Sequence, residues 1–116
     1  MSTNEKIDKL HQRVYDLLLY IYPLLSKYPK YEKFTLQKET RSALLLVLEE
    51  IVKYQKTGTK SHLYNADTQL QIAKEYIRLA NDLKYSAMNA QHYRETSKQL
   101  NFIGCELGQI IEEIKK

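Results

Sequence analysis

The stretch YDLLLYIYPLLSKYPKYEKFTLQKETR, Tyr15 to Arg41, decides the fold. An apolar helical segment runs into a short connector of tyrosine and lysine, and a second amphipathic segment follows at once. Ile7, Leu10, Val14, Leu17, Ile21 and Leu25 recur at spacings of three and four, which keeps one face of a helix apolar. The spacing predicts a helix from about Asn4 to Ser26. Pro23 should bend or end it, and Pro29 closes it, because the residue before a proline avoids helical torsion angles.

Working outward, Thr35 is the expected N-cap of a second helix from about Leu36 to Lys56, with Leu36, Thr40, Ala43, Leu44, Val47, Ile51 and Tyr54 facing inward. Gly58 supplies a left-handed stop. A third helix, about Ser61 to Lys84, carries Leu63, Ala66, Leu70, Ala73, Ile77 and Ala80. After a connector at Tyr85 to Asn89, the last helix presents Tyr93, Leu100, Ile103, Leu107, Ile110, Ile111 and Ile114. Short connectors make sequential helices antiparallel neighbours, so the expected fold is an all-α, up-down-up-down four-helix bundle. All 116 residues fit one domain, and three glycines and two prolines leave few places to turn.

The apolar pattern is wider than one bundle requires. Leu17 to Tyr22 and Ala43 to Leu48 are unbroken apolar or aromatic runs that wrap around their helices. Tyr15, Leu19 and Tyr22 make a second stripe on the first helix, Leu45 lies in the run on the second, and Ile72, Tyr76, Leu79 and Leu83 make a second stripe on the third. Such stripes are buried or leave a large exposed patch. Self-association through these residues is the favoured reading; the alternative is broader packing inside one subunit.

Charge follows its own pattern. Between Ser26 and Lys60, eight cations (Lys27, Lys30, Lys33, Lys38, Arg41, Lys53, Lys56, Lys60) face four glutamates, an excess equal to the whole formal charge of +4. A basic stretch interleaved with aromatics suits phosphates and stacked bases. The alternative is that Tyr28, Tyr31 and Phe34 cap the bundle while the lysines are merely solvated. Lys74 and Arg78 share a face of the third helix, as Arg94 and Lys98 do on the fourth, and either extend a basic surface or pair with Glu75 and Glu95.

Catalytic chemistry finds little support. His11, His62 and His92 fall on three different helices, and none has a glutamate three residues before it, as a di-iron bundle requires. Asp8 and His11 come nearest to that pattern. Cys105 is alone and reads as a packed thiol without an activating base. Gly104 and Gly108, four apart, suggest close approach of another backbone, within or between subunits. No signal-peptide core and no membrane-length apolar run is present, so a cytoplasmic protein without enzymatic activity, metal or cofactor is expected.

From about Val14 to Ile114 the chain resembles the accessory variability determinant (Avd) of diversity-generating retroelements, a family similar to the four-helix bundles encoded in intervening sequences of 23S rRNA. The strings that carry the resemblance are YDLLLYIYPLLSKYPKYEKFTL (Tyr15 to Leu36), RLANDLK (Arg78 to Lys84), AQHYRETSKQL (Ala90 to Leu100) and IGCELG (Ile103 to Gly108). The resemblance implies a basic homopentamer that binds a reverse transcriptase and template RNA, with DNA as a further partner, and supports mutagenic cDNA synthesis. The intervening-sequence relatives imply instead a structural or protein-interaction bundle without a nucleic-acid role. Gln109, where a second glycine is common, and the ending IIEEIKK leave the branch open. On this reading the twelve candidate nucleic-acid contacts are the eight cations of the basic stretch with Lys74, Arg78, Arg94 and Lys98.

Overall fold

A computed structural model describes residues 2–115. Four helices account for almost all of them: α1 (Thr3–Leu25), α2 (Leu36–Thr57), α3 (Ser61–Asp82) and α4 (Ala90–Lys115). Single 3-10 turns at Lys30–Glu32 and Ser86–Met88 stand in the two connectors at one end. Each helix packs against its sequence neighbours and α4 closes onto α1, with the α2–α3 contact the most extensive. The result is the antiparallel four-helix bundle, 44 Å long and 24 by 20 Å across.

The core is the set of stripes read from the spacing. Leu10, Leu17, Ile21, Val47, Ile51, Leu63 and Leu107 are all at 0 % exposure, joined by Ala66, Ala73 and Ala80 where α3 comes close to its neighbours. Burying a leucine or isoleucine of this kind contributes about 1.5–3 kcal/mol. Tyr54, Tyr93 and Ile114, expected inside, are only part-buried against the core's edge. Leu18, Leu24, Ala87 and Met88 complete the core outside the simple stripes.

The helix ends show how the chain stops and turns. Gly58 adopts φ 70°, and its N–H donates to the Tyr54 carbonyl, which ends α2 where expected. Pro23 does not end α1, which continues to Leu25. Thr35 occupies the N-cap position of α2 without capping it. Glu32 does so instead: its carboxylate accepts from the Leu36 N–H at 3.3 Å, from Thr35 Oγ1, and from the Tyr85 hydroxyl at 2.6 Å. The Thr35 and Tyr85 bonds, with the Leu36 N–H behind them, hold its carboxyl below the usual range despite desolvation. Tyr28 is buried beside Tyr85, ring centroids 5.7 Å apart, so of the connector aromatics it alone fills the bundle end. Tyr31 and Phe34 stand 75 % exposed. Among the described residues no helix is long and apolar enough to cross a membrane.

Candidate functional site

Two hydrogen bonds and one heptad rule assign the helix flanks. Residues seven apart lie on nearly the same side of a helix. Asp8 accepts from Gln55 of α2 at 3.1 Å, so Tyr15 and Tyr22, one and two heptads on, flank α2. His62 Nδ1 lies 2.7 Å from Glu50 of α2, so Tyr76 and Leu83, two and three heptads on, also flank α2. The opposite flank of α1 meets α4 through Lys6–Glu113, Arg13–Glu106 and Tyr20–His92. Tyr15 and Tyr22 of one extra stripe and Tyr76 of the other therefore lie toward α2, one stripe on each side.

Their exposure is uneven. Tyr15, Leu19, Tyr22, Leu79 and Leu83 are between 43 % and 63 % exposed, whereas Leu45, Ile72 and Tyr76 pack partly against the core. Broader packing within the subunit thus accounts for the second group and leaves the first open.

The basic stretch is divided by the fold. Lys27, Lys30, Lys33, Lys38 and Arg41 sit toward the connector end, and Lys53, Lys56 and Lys60 toward the other, with the middle half of α2 between them. All are exposed except the half-buried Arg41. At 1.5 Å per residue, the 22 residues of α2 separate its ends by about 33 Å. Lys53 also lies 3.5 Å from Glu50.

The fold instead gathers four cations that are distant in sequence. The groove between α3 and α4 has a cavity of about 190 Å³ lined by Lys74, Arg78, Tyr93, Ser97, Leu100 and Asn101. It continues into a more open hollow where Arg94 and Lys98 join Tyr93, Ser97 and Asn101. Neither part is lined by a carboxylate among the described residues. Arg78 does approach Glu75 and Asp82, each at 3.8 Å, but with the guanidinium 65 % exposed these pairs are weak. Lys74, Arg94 and Lys98 have no ion pair among the described residues, so of the alternative local pairings the one with Glu75 forms, through Arg78, and the one with Glu95 does not.

Gly104 faces Lys74 across the α3–α4 contact. A Cβ at that position would stand 3.1 Å from Lys74 Nζ, so glycine leaves room for the ammonium to lie across α4. Within the subunit the close approach expected at the two glycines is thus to a side chain rather than a backbone. Gly108 has nothing within 4 Å of such a Cβ. Cys105 is exposed, not packed, because it points outward between Asn101 and Gln109 on the solvent side of α4.

Sequence spacing overlooked Phe102 and Arg13. Phe102 is 50 % exposed, and the Arg13 guanidinium lies 4.2 Å from its ring centroid. An aromatic outside the α4 core stripe was the available signal. No group of three or more histidine, cysteine or acidic side chains is placed to share a metal ion among the described residues.

The model of the family described as bAvd-like matches residues 9–114. No match was found among curated proteins.

Proposed function

Because the chain belongs to the bAvd-like family, we propose that it is the accessory protein of a diversity-generating retroelement, a cytoplasmic homopentamer that binds template RNA and the element's reverse transcriptase in support of mutagenic cDNA synthesis. The observation that carries this reading is the segregation of the surface. Exposed apolar stripes lie beside α2, and the groove lined by four cations lies on the α3–α4 side. Helix α2 and its flanks hold the ring together, and α4 faces the nucleic acid.

The two stripes occupy different flanks, so one subunit's α1 stripe meets the next subunit's α3 stripe. Contacts of that head-to-tail kind propagate around a ring until it closes. Ring closure repeats each basic groove, and repetition turns weak phosphate contacts into avidity. The polymerase does the chemistry; this protein holds RNA where the polymerase can use it. The C-terminal Glu112 and Glu113 pair with Lys115 and Lys6 at the far end of the bundle and leave the groove's charge intact.

Fluorescence titration of a single-stranded RNA at several salt concentrations tests the reading. Four phosphate contacts predict an affinity loss of about fiftyfold between 50 and 200 mM salt. Lys74→Glu with Lys98→Glu should weaken binding by at least about tenfold and flatten the salt dependence. Reversal of Lys30, Lys33 and Lys38 at the connector should do less. A groove variant with the affinity and salt slope of the parent would contradict the assignment.

A further inference from the structure

Beyond the α4 ridge from the basic groove, α1 and α4 leave a second cavity of about 340 Å³, lined by Arg13, Asp16, Lys98, Gln99, Phe102 and Ile103. Lys98 lines this cavity and the basic groove alike. Its chemistry differs from the groove's. Arg13, ion-paired to Glu106, lies over the Phe102 ring, and the exposed remainder of that ring with the edge of the guanidinium is the stacking partner offered to a base. The core has no need of Phe102: Leu100, Ile103 and Leu107 already make the inward contacts of α4.

The polar groups at the rim have a definite sense. One Asp16 oxygen accepts from Gln12 at 2.9 Å, and the Gln99 amide nitrogen donates to Glu95 at 3.0 Å. What remains to meet an incoming molecule is the other Asp16 oxygen, which can only accept, and on Gln99 the carbonyl and the second amide N–H, so Asp16 is the group that discriminates. Side chains four apart on a helix stand about 5–6 Å from each other at Cβ, so Lys98 and Phe102 are spaced like the phosphate and base of one nucleotide.

We propose that this cavity takes one unpaired nucleobase bearing an exocyclic amino group, stacked on the Phe102–Arg13 pair, with a neighbouring phosphate on Lys98. The proposal rests on the nucleic-acid reading of the basic groove and adds a base-recognising element to it. A base held in a duplex is not free to enter, so the site selects single strands. Cytosine presents an amino donor where uracil presents a carbonyl, and that carbonyl would face the Asp16 carboxylate.

Fluorescence anisotropy with labelled oligocytidine and oligouridine of equal length separates the two ideas. The parent protein should bind oligocytidine more tightly. Phe102→Ala should weaken oligocytidine binding about five- to a hundredfold and erase the preference, while Phe102→Tyr retains it. Lys74→Glu should weaken both oligomers alike. If Phe102→Ala binds oligocytidine as the parent does while Lys74→Glu is impaired, the base site is wrong and the charge reading stands. If the parent binds neither oligomer, the nucleic-acid reading itself fails. If Phe102→Ala reduces the oligomer's mass in light scattering, Phe102 is a subunit contact and the base site is overturned.

Discussion

Glu50 is the residue whose position most sharply ties electrostatics to stability. It is a carboxylate at 8 % exposure near the α2–α3 turn, hydrogen-bonded to His62 and close to Lys53. Burial pushes its carboxyl up, but the His62 bond, the Lys53 charge and the Asn65 contact outweigh that, and the net direction is down. A carboxyl lowered in the folded state adds stability above its unfolded value, near 4.5, and loses it as pH falls through the folded value. Glu50→Gln should therefore cost about 1–2 kcal/mol at neutral pH, and the gap to the parent should close as pH drops below 4.5. Thermal melts across that range measure it; a constant gap would mean that packing, not charge, is responsible. None of this was legible in the sequence, since Glu50 and His62 are twelve apart and meet only because Gly58 reverses the chain. The same holds for Glu32, whose three acceptor contacts replace the expected Thr35 cap.

At the scale of elements, helix spacing was a reliable guide because one face of each helix has a single core to meet. Every residue of the α1 and α3 core stripes is buried as expected. The ends were harder to read where no glycine or proline marks them. Helix α3 stops at Asp82, and Lys84 follows at φ 64°, the left-handed region. The Lys84 N–H donates to the Asn81 carbonyl at 2.9 Å and the Tyr85 N–H to the Ala80 carbonyl at 3.2 Å, the paired bonds that close a helix in this manner. Glycine is the residue suited to that backbone, and lysine pays a steric penalty there. Lys84→Gly should raise stability by about 0.5–1 kcal/mol in denaturant unfolding; a loss would show that the lysine side chain holds the connector. The Tyr–Lys connector likewise resolved into a mixture, with Tyr28 packed inside on Tyr85, Tyr31 meeting the same ring edge-on at 6.4 Å but exposed, and Phe34 outside.

For the molecule as a whole, the lesson concerns charge. Eight cations crowded between Ser26 and Lys60 look like one basic patch, yet α2 carries them to opposite ends. The groove that collects cations without acids draws on Lys74, Arg78, Arg94 and Lys98, which meet only after α3 and α4 pack together. On the proposed function, apolar stripes beside α2 and cations in the α3–α4 groove would make assembly and RNA binding independent of each other. Light scattering of the protein alone, and then with a single-stranded RNA, tests that independence directly. A pentamer gives about 68 kDa, five times the 13.7 kDa chain, and a complex in which the RNA adds its mass without dissociating the ring. A monomer, or a ring that RNA takes apart, would contradict the proposed function.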